Sequence, residues 1–292
     1  MLVECFKYDA NNNLIALCSG SLHSSETSLI LVGGMYDGPF SLGYSEALHF
    51  AAQEMGSTCL IQPILRSSYR QFGISTLDSD AEDLYQLVSK LSSKRVILIG
   101  HSSGCNGILH FVHRFLPTLC SEEADMIRGK ICGIVLQGAV SDRQYIVSVL
   151  GETKATQFLE TSKALISSGQ AHSIMPAEAV PMEPIVPITA KRFYSLLQGD
   201  DEMFSTDKNE SIMFSVSETL PILVFISDKD EYVPHNQVNQ SSVVSFFSKI
   251  LPHHASNKIV VLRNANHGLS TLTKEQVVEH FINPIVQWIG TL

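Results

Sequence analysis

Short apolar runs alternate along the chain with longer segments whose apolar positions recur every three or four residues. The runs at 28–34, 58–65, 96–99, 130–140, 221–227 and 258–264 show little polar alternation. That pattern belongs to strands buried on both faces of a parallel sheet. Two earlier segments, 2–8 and 13–20, read as strands joined by the turn Asp9-Ala10-Asn11-Asn12-Asn13. Helices are predicted over 41–55, 77–91, 104–116, 237–250 and 274–289. In the second, Leu77, Ala81, Leu84, Leu87, Val88 and Leu91 fall on one face. Pro117 is expected just past the end of the third. Repeated strand-then-helix units imply an α/β fold, a mostly parallel sheet with helices on both faces. The alternation breaks between 142 and 220, where the chain reads as helical and irregular, with prolines dense from Pro176 to Pro187. The expected organisation is a core of 1–141 and 221–292, interrupted by a cap insertion of 142–220.

Composition adds exclusions. Hydrophobic residues make up 45% and charged residues 17% of the 292, enough apolar side chain for a large core. The formal net charge of −9, with no Lys/Arg cluster, argues against nucleic acid and against electrostatic binding to anionic membranes. No run reaches the roughly 18 apolar residues of a membrane span. Met1-Leu2-Val3-Glu4-Cys5-Phe6-Lys7 lacks the basic flank and apolar stretch of a signal peptide. Cys5, Cys18, Cys59, Cys105, Cys120 and Cys132 form no C-x-x-C pair or zinc-like spacing. They are expected to be reduced thiols in a cytoplasmic protein, with no metal site and no cofactor. Oligomeric state is open.

Candidate chemistry begins at Gly100-His101-Ser102-Ser103-Gly104, a G-x-S-x-G match that ends an apolar strand and opens a helix. In that setting the serine occupies a strained turn, and the small residues on either side let strand and helix pass closely. The helix N-terminus favours a developing oxyanion. Ser102 is the expected nucleophile; Ser103, the other hydroxyl, is expected to donate its backbone N–H. A serine needs a base, and the base an orienting acid. His267, in Asn264-Ala265-Asn266-His267-Gly268 after the last predicted strand, is the candidate base. His253 and His254 precede a strand, at its wrong end; His110 and His113 sit on a helix, where a packing role outweighs a metal-ligand role. The acids Asp228, Asp230 and Glu231 follow strand 221–227, and Asp142 follows strand 130–140. A second oxyanion donor should come from Gly33-Gly34-Met35-Tyr36-Asp37-Gly38, with Met35 N–H preferred. This loop lacks the Gly-Lys-Ser/Thr ending of a phosphate-binding loop.

Together these residues resemble an α/β-hydrolase over most of the chain. The glycine loop, the elbow, Leu136-Gln137-Gly138-Ala139-Val140-Ser141-Asp142-Arg143, the segment Asp200–Asp207 and Asp228-Lys229-Asp230-Glu231-Tyr232-Val233-Pro234 resemble a family of fungal, plant and protist hydrolases that includes fungal siderophore esterases. The similarity spans roughly 25–270. It implies serine-esterase chemistry on a small-molecule ester, and its D-x-x-V-P acid loop selects Asp230 over Asp142. Gly33 departs from the wider superfamily, where many members have His. Tyr36, Asp37 and Arg143 are candidate substrate contacts; Arg143 and Asp200–Asp207 equally suit tying the cap to the core. A second reading stays open, a ligand-binding or receptor-like protein that kept the pocket without turnover.

Overall fold

A computed structural model describes residues 2–181, 187–198, 203–206, 220–234, 240–251 and 254–292. Its centre is one eight-stranded sheet in the order β1-β2-β4-β3-β5-β6-β7-β8. The strands are β1 Glu4–Asp9, β2 Leu14–Ser19, β3 Thr27–Val32, β4 Thr58–Pro63, β5 Arg95–His101, β6 Ile131–Gln137, β7 Ile222–Ser227 and β8 Lys258–Leu262. β2 pairs antiparallel with β1 and β4, and every other pairing is parallel. All eight expected strands are present, with ends shifted by a few residues.

Side chains alternate across the central strands, and both faces are dry. On β3, Ile30 and Val32 join one apolar cluster, with Val96 and Leu98 of β5. Leu29 and Leu31 join the other, with Ile97 and Ile99. This double burial is why the strands read as unbroken apolar runs. The first face is covered by α2 (Leu77–Lys90) and α3 (Ser103–His110), among others. The second is covered by α1 (Ser45–Glu54) and the C-terminal helix. α2 starts at a capping box of Thr76 and Ser79, with Asp78 and Asp80 in its first turn and Lys90 in its last.

Two features differ from the sequence reading. The helix after β5 does not stop before Pro117: α3 passes through a wide turn, Phe111–Phe115, into α4 (Leu116–Thr118). The C-terminal helix does the same, with a wide turn at Val278–Ile282 just before Pro284. Proline offers no N–H and crowds the carbonyl four residues back. A looser turn ahead of it lets the helix continue. The sequence reading also omitted α5 (Glu122–Lys130). It is held by the Ser121 side chain accepting from Ala124 N, and buries only Ala124 and Ile127.

Between β6 and β7 lie α6 (Asp142–Leu150), α7 (Glu152–Ser167) and α8 (Ala190–Gln198). They enclose a separate apolar cluster that includes Ile146, Phe193, Leu196 and Leu197. Thr189 N and Oγ1 donate to Gly73 O at 2.9 and 3.2 Å, and the Arg192 guanidinium stacks 4.1 Å from the Phe72 ring centre. Of the expected segment Asp200–Asp207, only Met203–Thr206 lies within the described residues, as do 240–250 of the expected helix 237–250, which form α9 (Gln240–Ile250).

The close approach of α3 to the end of β3 leaves no room for a side chain at Gly104, where a Cβ would sit 2.4 Å from Val32 O and 2.5 Å from Gly33 O. Both neighbours are backbone and cannot rotate away. Gly104→Ala should therefore lose about 1–3 kcal/mol of stability, read as a lower denaturation midpoint at unchanged denaturant slope.

Candidate active site

β5 ends at His101, and Ser102 follows at φ 52 and ψ −127, ahead of α3. A positive φ is costly for a residue with a side chain, of order 1–3 kcal/mol, and persists only where neighbours enforce it. Here Ser102 N donates to Gln137 O at 2.9 Å, and Cys105 N donates to Ser102 O at 2.9 Å. Space is equally constrained. A Cβ on Gly100 would lie 2.8 Å from Cys105 N, and one on Gly34 would lie 2.7 Å from Ser102 Cβ.

The loop after β7 carries Asp230, and the loop after β8 carries His267; both side chains are buried. His267 Nδ1 lies 3.0 Å from Asp230 Oδ1 and 2.9 Å from Oδ2. Tyr232 N donates to Asp230 Oδ1 at 3.0 Å. Asp142, the alternative acid, begins α6, and its charge acts on His267 more weakly than those of Asp230 and Glu231. Burial opposes charging the His267 ring. The hydrogen bond and charge of Asp230, with the charges of Glu231 and Asp142, outweigh that and raise its pKa above the ordinary 6.5.

Beside it, His101 is pushed the other way, down to about 3, first by burial and then by the nearby His267 charge, against a hydrogen bond to Gln137. The two rings are 4.9 Å apart between centres. A Cβ on Gly138, which has φ 64, would lie 3.0 Å from His267 Cε1. Ser102 and His267 thus both lie against Gln137–Gly138. Among the described residues the Ser102 hydroxyl makes no hydrogen bond to the imidazole, as is common before substrate tightens such a site.

The glycine loop holds its own shape. Gly34 N donates to Asp37 Oδ2 at 2.7 Å, and Asp37 N donates to Gly34 O at 3.1 Å. Burial raises the Asp37 carboxyl, and the Gly34 N–H partly counters it. Asp37 is therefore engaged with the loop's backbone. Among the described residues neither Met35 N–H nor Ser103 N–H has an acceptor. Tyr36, at φ 72, has its phenol pushed up to about 12 by burial and by the charges of Tyr232 and Asp142. Arg143 Nη1 donates to Ser205 Oγ at 3.4 Å, and Gln144 Nε2 donates to Thr206 Oγ1 at 3.0 Å, so this corner holds 205–206.

Tyr232 and Gln137 at the site were not singled out from the sequence, and Glu231, one of the three acids read there, has a different role. Glu231 Oε2 accepts from His267 N at 2.8 Å. The Tyr232 ring packs edge-on to the His267 ring, 4.6 Å between centres, and meets Tyr145 of α6 at 5.0 Å. Gln137 is fully buried at the end of an otherwise apolar strand. A lone amide in such a run signals a required hydrogen-bond network. Elsewhere, His110 Nε2 lies 2.7 Å from Asp78 Oδ1; His253 lies outside the described residues.

A sheet with only its second strand reversed, and a serine on a positive-φ turn after the fifth, defines an α/β-hydrolase fold. The chain belongs to the family described as "Protein of unknown function (DUF1749)", whose model matches residues 5–290. It is 24% identical over 317 residues to fusarinine C esterase sidJ of Aspergillus fumigatus, covering 91% of this chain and 89% of that one. It is 25% identical over 283 residues to a UPF0613 protein of Schizosaccharomyces pombe, covering 88% and 85%. Among solved structures it is similar to the siderophore hydrolase EstB from Aspergillus fumigatus, with a TM-score of 0.74 at 20% identity over 100% and 97% of the chains. These relatives agree with the family resemblance drawn from the motifs.

The two histidines should titrate apart. In NMR titrations of the imidazoles, His267 should change charge above pH 6.5, the ordinary value, while His101 stays neutral through the same range. Asp230→Asn should lower the His267 midpoint, because it removes the charge that raises it and leaves at most a weaker, neutral hydrogen-bond acceptor. An unchanged midpoint would mean that Asp230 does not govern this ring.

Proposed function

We propose that the protein is a serine esterase acting on a small-molecule carboxylic ester. Ser102 attacks the carbonyl carbon while His267 Nε2 takes the hydroxyl proton. The N–H groups of Met35 and Ser103 hold the oxyanion. His267 returns the proton to the leaving alkoxide, and water repeats the sequence on the acyl-enzyme. Asp230 keeps the imidazole proton on Nδ1 and stabilises imidazolium. The observation that carries the reading is a buried His–carboxylate pair, 2.9–3.0 Å apart, beside a serine at φ 52. The two unoccupied N–H groups add support.

The names of sidJ and EstB make a siderophore-type ester the first natural substrate class to test. Residues 142–220 would then act as a cap that selects substrate size. Support comes from the ring contacts that run from His267 through Tyr232 to Tyr145 on α6. Six free cysteines fit a reducing, cytoplasmic setting.

A fluorophosphonate should label the wild-type protein once, at Ser102, and a short-chain nitrophenyl ester should turn over. Ser102→Ala should abolish both with unfolding unchanged. Labelling that moves to Ser103 would overturn the nucleophile assignment, and labelling without turnover would favour a binding protein. Asp230→Asn should lower kcat by a factor on the order of 10⁴, and Asp142→Asn far less. Activity should fall as pH drops through the raised His267 pKa, since the protonated ring accepts no proton. If the cap reading holds, Tyr145→Ala should change the ratio of rates on long and short acyl esters; an unchanged ratio would count against it.

A further inference from the structure

Gln137 joins parts of the site that are distant in sequence. Its carbonyl accepts from Ser102 N at 2.9 Å and, more weakly, from Cys105 Sγ at 3.5 Å. Its side-chain Nε2 donates to the backbone carbonyl of His267 at 2.8 Å. Its Oε1 lies 2.5 Å from His101 Nδ1 and accepts from Tyr44 OH at 3.2 Å. The orientation of the amide follows from these partners. The His267 carbonyl can only accept, so the NH₂ end must face it. The Oε1 end then faces two donors, which puts the His101 proton on Nδ1. A neutral His101 suits this arrangement, and its ring forms a wall beside the His267 ring.

We infer that Gln137 is the positioning residue that sets the separation between Ser102 and His267, through a main-chain bond to one loop and a side-chain bond to the other. The inference rests on the serine-esterase reading. Gln137 touches no substrate in that reading: it is fully buried beneath the loops, with every polar atom of its side chain engaged from within. Its amide is also suited to the task chemically. It needs one end that donates and one that accepts, at fixed spacing, in a place where an unpaired polar atom is costly. Leucine or methionine could fill the volume but not join the loops. A carboxylate could accept from His101 but not donate to His267 O.

That difference supplies the test. Three variants are compared with wild type, each normalised by fluorophosphonate titration so that only competent sites count. Gln137→Met removes all three side-chain ties, to His267, His101 and Tyr44, at similar volume. Its kcat should fall on the order of tenfold to hundredfold, the scale of one or two buried hydrogen bonds, with KM within a few-fold of wild type. Tyr44→Phe removes one donor and leaves the His101–Gln137–His267 chain, so its kcat should stay within a few-fold. Gln137→Glu is the discriminating variant. When un-ionised, its carboxyl donates to His267 O and accepts from His101; when ionised, it cannot donate. Its kcat relative to wild type should therefore rise as pH falls. A space-filling role predicts a ratio that does not change with pH. A flat ratio, or wild-type kcat in Gln137→Met, would overturn the inference. If the wild-type protein takes no fluorophosphonate at Ser102, the esterase reading fails first, and that result is distinct from either.

Discussion

The N–H of Ser102 donates to the carbonyl of Gln137 on the neighbouring strand, and that 2.9 Å bond helps hold a serine backbone at φ 52. Such a conformation survives only where its surroundings leave no alternative. The surroundings here are two close approaches of backbone. Gly104 brings α3 against the end of β3, and Gly34 brings the loop after β3 against Ser102 itself. The elbow, the glycine loop and the order of the central strands are therefore one constraint expressed in three places. A bulkier residue at either glycine would push apart the elbow and the loop after β3.

Around that fixed point, the protein treats two neighbouring histidines in opposite ways. His267 keeps a carboxylate on its Nδ1, and its pKa rises despite burial. His101 has only a neutral amide, and burial dominates. Rings less than 5 Å apart between centres thus differ in charge because of what each one bonds to. Environments that push adjacent titratable groups apart are typical of reacting centres. The acidic surroundings of His267 are distributed over two elements: Asp230 and Glu231 on the loop after β7, and Asp142 at the start of α6.

Much of this was legible in the sequence, and the reason is physical. Every strand from β3 to β7 is buried on both faces or nearly so, so each left an uninterrupted apolar run. The elbow was legible because its spacing of glycines reflects backbone contact. The helix Glu122–Lys130 was not, because it is defined by a serine cap and charged ends while burying only two residues. Gln137 was present in a quoted motif without a role. Its partners Tyr44 and His267 lie 93 and 130 residues away, and no local pattern encodes such bonds. Glu231 was legible only as one of three acids on its loop, and its bond to His267 N was not. The turn at Asp230, where Val233 N bonds to Asp230 O at 3.2 Å, bends the loop back.

The parts of the centre sit on four adjacent strands and their loops: Ser102 after β5, Gln137 on β6, Asp230 after β7 and His267 after β8. These strands are also made in that order, from the middle of the sheet to one edge. The C-terminal helix then closes over β6, where a Cβ on Gly133 would lie 2.7 Å from the Trp288 ring. On the proposed reading, a growing chain thus carries its nucleophile long before it carries the histidine that would activate it. On the proposed reading, until β8 and the loop beyond it emerge from the ribosome the nascent polypeptide has the hydroxyl and the carboxylate but no imidazole between them, and the order of synthesis keeps the hydroxyl chemically inert.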